Sequence, residues 1–174
     1  RTFAGILKRL ESYPRPTVAR IQGACLGGGL GLALACDIAL AHEGAVLGTP
    51  EVHVGLFPLM ISPLILRQVP RKRAMDLILT GARVDAAEAA SIGLVTRSLP
   101  ADEFEAGVEK TLAGLALKSH RVLAFGKEAM RRTEGLPFDR AVDDLAGALV
   151  ELIGMPDAQE GIRAFFEKRP PNFS

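Results

Sequence analysis

The chain has 174 residues, of which 48% are hydrophobic, and its formal net charge is +1. This length and composition are typical of a globular domain with a buried core, and they exclude an intrinsically disordered chain. Because the net charge is so small, we expect no partner among nucleic acids or membranes, and the sequence has no apolar run of membrane-spanning length.

The two cysteines, Cys25 and Cys36, show neither a metal-binding spacing nor the pattern of a disulfide framework. We therefore expect reduced, structural thiols in a reducing compartment and no metal site. Trp is absent and Tyr occurs once, so the core should be mainly aliphatic.

A first helix is predicted from apolar residues that recur at i, i+3, i+4 and i+7, namely Phe3, Ile6, Leu7 and Leu10. This pattern already runs at the first residue without a convincing capping residue before it. We therefore expect that the natural chain begins earlier. Pro14 and Pro16 end the helix.

The next segment has the pattern of a βαβ unit. Residues 17–21 read as a strand, residues 27–31 contain a glycine run, residues 32–36 read as a buried helix, and residues 38–41 read as a second buried strand. A crossover of this kind places its two strands parallel in one sheet.

Helical patterns dominate the rest of the chain. Thr49 is predicted to cap a short helix with Pro50 at its first position, and Asp85 with Glu88 resembles a capping box. Other predicted segments are an apolar loop over 55–61, a helix over about 63–79, a helix that ends at Gly93, a strand over 94–96, and helices from residue 101 onward. We divide the chain into a core region, residues 1–98, and a helical region, residues 99–174.

The three consecutive glycines 27–29 need a physical reason, because glycine loses much backbone entropy on folding. Neither a dinucleotide fingerprint nor a Walker loop fits the spacing. Three explanations stay open at this point: a phosphate site, an oxyanion hole formed by backbone N–H groups, or close packing of the helix on the strand.

A set of motifs in one order resembles the enoyl-CoA hydratase/isomerase (crotonase) family along essentially the whole chain. The motifs are Cys25-Leu26-Gly27-Gly28-Gly29, Cys36-Asp37-Ile38, Gly48-Thr49-Pro50-Glu51 followed by Gly55, Leu79-Thr80-Gly81, Gly93-Leu94-Val95 and Phe165-Phe166-Glu167-Lys168-Arg169. The resemblance implies an α/β fold: a spiral of ββα turns followed by a helical trimerisation region. It also implies that the N-terminal part of this fold is missing from the chain.

The resemblance assigns roles to particular residues. The N–H of Gly28 would form half of an oxyanion hole that polarises an acyl-CoA thioester, with the other half on an earlier segment, and Glu51 would be the acid/base. The remaining predicted substrate contacts are Leu26, Gly27, Gly31, Phe57, Phe165 and Lys168. Phe165 and Lys168 match positions near the CoA of a neighbouring subunit, although an exposed basic helix end explains them equally well.

The resemblance also implies an acyl-CoA substrate, no separate cofactor because coenzyme A is part of that substrate, and a homotrimer or hexamer. We expect a cytoplasmic protein, or one of the mitochondrial matrix if it is eukaryotic and has lost a transit peptide.

Position 31 departs from the family pattern, because hydratases of the family carry a second glutamate where this chain has Gly31. Hydration uses paired carboxylates to orient water and transfer its proton. One carboxylate suits an isomerase-like proton relay better, in which Glu51 removes a proton and returns it to another carbon. The alternative is a non-catalytic family member that binds acyl-CoA or serves as an assembly partner. We interpret Asp37 and Cys25 as structural and His53 as peripheral.

Overall fold

The structure, a computed structural model, describes residues 2–173 and contains two compact units. The first unit consists of the chain up to Tyr13 and of Thr17–Leu112, and the second consists of Pro14–Pro16 and the chain from Ala113 onward. The division of function between residues 1–98 and 99–174 stays a prediction.

The first unit alternates short strands with helices. Its elements are α1 (Thr2–Glu11), β1 (Val18–Ile21), β2 (Ala24–Leu26), α2 (Gly28–Leu34), β3 (Ile38–His42), β4 (Val46–Gly48), a 3₁₀ helix (Pro50–Val54), α3 (Ser62–Gln68), α4 (Arg71–Thr80), β5 (Arg83–Asp85), α5 (Ala86–Ser91), β6 (Arg97–Leu99) and the greater part of α6 (Phe104–Ala116).

Two three-stranded sheets organise this unit. The first has the order β1-β3-β6 with both pairs parallel, and Val18 of β1 lies opposite Ile38 of β3. The predicted parallel βαβ unit is therefore confirmed. The second sheet has the order β2-β4-β5, in which β2 and β4 are parallel and β4 and β5 antiparallel. Its strands have three residues each, too few to give a periodic signal in the sequence.

The core of the unit is aliphatic, as the composition predicts. Leu30 of α2, Leu47 of β4, Ile65 of α3, Leu77 of α4 and Leu94 all lie in one buried cluster. Burying such side chains stabilises the fold by roughly 1.5–3 kcal/mol each. The cluster joins both sheets to the central helix α2, so the start of that helix has a fixed position.

Two predicted elements are wrong. The single helix over 63–79 is two helices, α3 and α4, because Pro70 lacks a backbone N–H and Val69 before it is extended. The strand over 94–96 is displaced to β6. Leu94 and Val95 instead donate their N–H groups to the carbonyl of Ala89 and close the end of α5.

The second unit is helical, as predicted for residues beyond 101. It contains the end of α6 and the helices α7 (His120–Thr133), α8 (Phe138–Ile153) and α9 (Pro156–Phe166). Pro156 occupies the first position of α9, and Asp157 follows it in the first turn. Within residues 2–173, no helix combines the length and the apolar character that crossing a bilayer requires.

Gly48 is a test of how closely β4 and β5 pack. A Cβ at this position would lie 2.5 Å from the carbonyl oxygen of Ala82, a backbone atom that cannot move aside. We expect Gly48→Ala to destabilise the protein by about 1–3 kcal/mol, the usual effect of overpacking. Urea unfolding of the full chain measures the change.

The matched control for this test is Gly5→Ala in α1. Among the described residues, no heavy atom outside α1 lies within 4 Å of a Cβ placed there, and alanine favours a helix. Its unfolding midpoint should stay the same or rise. Equal losses at both positions would show that Gly48 is not under steric constraint.

Candidate active site

The glycine run forms a tight turn from β2 into α2. Gly27 has a φ of 52°, which side chains disfavour, and its N–H donates to the carbonyl of Gly48 over 3.0 Å. The N–H of Gly31 then donates to the carbonyl of Gly27, so the helix begins at Gly28. The prediction that the helix begins at residue 32 is wrong, because the glycines themselves form its first turn.

Backbone N–H groups in this turn lack a partner within the helix. The N–H groups in the first turn of a helix have no partner within that helix. The N–H of Gly27 is used by Gly48, so Gly28 is the first residue of α2 whose N–H belongs to this group. The position agrees with the donor role predicted for Gly28, and that role itself stays a prediction.

Glu51 lies in the 3₁₀ helix that follows β4, with Pro50 at the first position as predicted. Thr49 does not cap this helix through its side chain. Its hydroxyl is fully buried and donates to the carbonyl of Leu77 in α4 over 2.9 Å. Thr49 therefore anchors the start of the 3₁₀ helix to α4. This hydrogen bond holds the backbone from which the Glu51 side chain extends.

The carboxylate of Glu51 rests against the glycine turn. A Cβ added to Gly27 would lie 3.1 Å from Oε1 of Glu51, so only glycine leaves full room for this contact. Oε2 of Glu51 is buried and has no hydrogen-bond partner among the described residues. Buried polar atoms are nearly always paired, so an exception needs an explanation, such as a catalytic role or a bound water or ion.

Gly31 lies one turn further along α2, on the same face as Gly27. A Cβ at position 31 would lie 2.3 Å from Cγ2 of Ile61 and 3.6 Å from Cζ of Phe3. Phe3 also lies over Gly28, at 3.4 Å from the corresponding Cβ position. The predicted site residues Gly27, Gly28 and Gly31 are therefore brought together with Glu51, and apolar side chains border them.

Leu26 and Phe57 belong to the same unit. Leu26 is the last residue of β2 and pairs with Gly48, directly before the glycine turn. Phe57 lies in the apolar loop after Gly55 and is 46% exposed. Its neighbours Leu56, Leu59 and Met60 are exposed as well, so the loop presents a largely apolar surface after the 3₁₀ helix.

Phe165 and Lys168 lie in the second unit, at the end of α9. Phe165 is 79% exposed and Lys168 has a φ of 53°. Phe165 borders a groove of about 650 Å³ whose lining is almost entirely apolar. At the groove, Asp157 is buried and its carboxylate accepts a hydrogen bond of 2.5 Å from the hydroxyl of Ser119.

A hydrogen-bonded group of Glu160, Arg169 and the backbone of Asn172, which we call the clamp, holds the segment after α9. Arg169 donates to both carboxylate oxygens of Glu160, and the N–H of Asn172 also donates to Glu160. These hydrogen bonds stabilise the ionised carboxylate and lower the pKa of Glu160 to about 2. The clamp brings Phe173 against Gly161 of α9, so Phe173 forms part of the groove wall.

The structure also shows what other candidate residues do. Asp37 accepts hydrogen bonds from the N–H and the hydroxyl of Thr17, which confirms its interpretation as a structural residue. Burial raises the pKa of Cys25 to about 11, so its thiol stays protonated at neutral pH and is a poor nucleophile. His53 is exposed and lies beside Gly81, where a Cβ would come within 2.7 Å of its Nε2.

Sequence reasoning missed two neighbours of the site, Phe3 and Ile61. The sequence pattern places Phe3 only on the apolar face of α1 and Ile61 in an apolar loop without periodicity. No local pattern identifies them, because both reach the glycine turn only through tertiary packing. The only signal in the sequence is Gly31 itself, because a missing side chain there indicates that another group fills that space.

The candidate site thus consists of the glycine turn and the carboxylate of Glu51, and comparison with known proteins identifies the family of the chain. The chain belongs to the enoyl-CoA hydratase/isomerase family, whose family model matches residues 1–174. The predicted membership of the crotonase superfamily and the predicted α/β fold are both confirmed.

Particular relatives support this assignment. A Thermus thermophilus protein, provisionally named an enoyl-CoA hydratase, is 39% identical over 170 residues, which are 97% of this chain and 66% of that protein. The mitochondrial enoyl-CoA hydratase domain-containing protein 3 of Mus musculus is 34% identical and is covered over 58% of its length. The chain thus spans two thirds or less of these relatives.

Solved structures show the same fold. The human enoyl-CoA hydratase domain-containing protein 3 superposes with a TM-score of 0.96 at 30% identity, over 99% of this chain and 68% of that one. An enoyl-CoA hydratase from Bacillus anthracis superposes with a TM-score of 0.93 at 31% identity, over 98% and 67% of the two chains.

The anchor formed by Thr49 gives a stability prediction. Thr49→Val keeps the shape of the side chain but removes the hydrogen bond to Leu77. Because the Leu77 carbonyl also accepts from the N–H of Gly81, we expect a loss of only about 1 kcal/mol in the free energy of unfolding. Urea denaturation measures this loss. Ser91→Ala removes an exposed hydroxyl bonded to the Glu88 carbonyl and should have a smaller effect.

The clamp at Glu160 gives a pH prediction. The folded-state pKa of about 2 lies below the ordinary value of 4.5, so the clamp contributes its full stability above the ordinary value and loses it as the pH falls toward 2. We expect the protection of amides in the segment after α9, measured by hydrogen exchange and corrected for the intrinsic rate at each pH, to fall between pH 5 and pH 2. Glu160→Gln should abolish this pH-dependent loss of protection, and an unchanged profile would contradict the role of the clamp.

Proposed function

We propose that the protein is an enzyme that acts on acyl-CoA thioesters by stabilising an enolate, with Glu51 as its single acid/base. The observation that carries this proposal is the buried Oε2 of Glu51, which has no hydrogen-bond partner among the described residues and lies beside the glycine turn. A carboxylate kept free in this way is available to take a proton from a substrate.

The proposed reaction begins at the carbon next to the thioester carbonyl. In a 3-enoyl thioester the protons on C2 are acidified by the carbonyl and by the adjacent double bond. Glu51 removes one of them, and the electron pair delocalises onto the carbonyl oxygen to give a dienolate. Protonated Glu51 then returns the proton to C4, which leaves the double bond between C2 and C3.

The negative charge on the carbonyl oxygen needs a hydrogen-bond donor placed in advance. We assign one such donor to the N–H of Gly28 and the second to a segment of the fold outside this chain. No separate cofactor takes part in this scheme, because the thioester of coenzyme A itself provides the acidity at C2.

The surroundings of Glu51 favour isomerisation over hydration. Hydration uses a second carboxylate to hold and deprotonate water, and the position of that group in family hydratases is Gly31. In this chain Phe3 and Ile61 border Gly31. We assign the acyl chain to the apolar loop that contains Phe57.

We also propose a homotrimeric or hexameric assembly in which Phe165 and Lys168 approach the CoA of a neighbouring subunit. The apolar groove in the second unit supports a contact of this kind together with the exposed Phe165 and Phe166 beside it, since contiguous exposed apolar residues can mark an interface. We place the reaction in the cytoplasm, or in the mitochondrial matrix of a eukaryote.

A second candidate function is an acyl-CoA-binding or assembly protein without turnover. The occupied space beside Gly31 favours it, because this chain lacks one of the two carboxylates of the hydratases. The two functions differ in turnover but not in CoA binding.

The decisive variant is Glu51→Gln, made in the full-length protein so that both proposed oxyanion donors are present. If Glu51 is the acid/base, turnover of 3-hexenoyl-CoA should fall by roughly 10²–10⁴-fold while acyl-CoA binding is retained. Glu109→Gln, an exposed substitution on α6, serves as the matched control and should leave turnover unchanged. A wild-type protein that binds acyl-CoA without turning over either 3-hexenoyl-CoA or crotonyl-CoA would instead support the binding function.

A further inference from the structure

Ile61 fills the space in which any side chain at position 31 would lie. Its Cγ2 is 2.3 Å and its Cβ 3.3 Å from the Cβ that residue 31 would carry. Carbon atoms without a bond between them pack at about 3.5–4.0 Å, so the two side chains cannot coexist in this geometry. Gly31 and Ile61 are therefore a complementary pair, in which one residue is small because the other is large.

Ile61 has little freedom to move away. It is 2% exposed and belongs to the main buried cluster. Its carbonyl accepts the N–H groups of Leu64 and Ile65 at the start of α3, and its own N–H donates to Pro58. The β-branched side chain is also stiff about χ1. A group at position 31 would have to displace the start of α3, not only one methyl group.

The position of this pair relative to Glu51 gives it a chemical consequence. The N–H of Gly31 donates to the carbonyl of Gly27, which joins the two residues across the first turn of α2. The Glu51 carboxylate lies against Gly27, and Ile61 lies against Gly31. Ile61 thus fills the space of a side chain at position 31, where hydratases of the family carry their second carboxylate.

We infer that Ile61 is a specificity-determining residue, which keeps a second carboxylate away from Glu51 and makes that side of the site apolar. On this basis, placing glutamate at position 31 is not enough to restore a second carboxylate, because Ile61 would still fill its space. The inference about chemistry rests on the proposed function, whereas the steric coupling of positions 31 and 61 does not.

A stability cycle tests the steric coupling in the full chain. We expect Gly31→Ala to lower the melting temperature in the wild-type background. In the Ile61→Ala background, which lacks Cγ2, the same change should be neutral or should raise the melting temperature, because alanine favours a helix. Ile61→Val is the matched control, since valine retains a methyl group at the Cγ2 position. Gly31→Ala should remain harmful there, and equal effects in all three backgrounds would overturn the coupling.

A second cycle, in the full-length protein with both proposed oxyanion donors, tests the specificity. Gly31→Glu alone should reduce stability and give no gain in hydration of crotonyl-CoA. Gly31→Glu combined with Ile61→Ala should hydrate crotonyl-CoA at least about tenfold faster than Ile61→Ala alone, a fraction of the ~10²–10⁴-fold that a well-placed acid or base contributes. A folded double variant without this gain, or an equal gain in Gly31→Glu alone, would overturn the specificity role.

The two failures are distinguishable. If Glu51→Gln leaves all turnover unchanged, the proposed function fails, while the melting-temperature cycle still decides whether Ile61 excludes a side chain at position 31. If Glu51→Gln abolishes turnover but the double variant gains nothing, the proposed function stands and the role of Ile61 is refuted.

Discussion

The close approach of β2, β4 and the first turn of α2 is the constraint on which the site depends. Gly27 turns the chain at a positive φ and donates its N–H to Gly48, and Gly48 in turn has β5 directly against its backbone. Glu51 follows Gly48 by only three residues. Packing the two glycines together therefore brings the carboxylate to the start of the helix without any long connection.

Apolar packing gives this arrangement its chemical character. Glu51 has a buried oxygen without a hydrogen-bond partner within residues 2–173, while Phe3 and Ile61 lie against Gly31 in the first turn of α2. Under the proposed function, a lone carboxylate in such surroundings moves a proton between two carbons and does not hold water. The core residues that stabilise α2 and α3 would then also narrow the reactions open to the site.

The second unit contributes a different kind of surface. Its groove is lined by exposed aromatic residues of α9 and by a buried hydrogen-bonded pair, Ser119 and Asp157. The clamp holds Phe173, which forms part of the groove wall. Family membership is established for the whole chain, whereas assembly is proposed from this surface. Solved relatives extend well beyond the chain, so half of the proposed oxyanion hole is assigned to a segment that these residues do not contain.

The sequence by itself determined the family, the parallel βαβ unit, the helical second half and the grouping of Gly27, Gly28 and Glu51. The βαβ unit and the helices are local features that periodic apolar residues record directly, whereas the family and the grouping of the glycines with Glu51 follow from the resemblance of the ordered motifs. Tertiary structure decided that α2 begins within the glycine run, that Thr49 bonds to α4 and that Ile61 fills the space beside Gly31. Each of these depends on contacts between distant segments, and no pattern within one segment encodes such a contact.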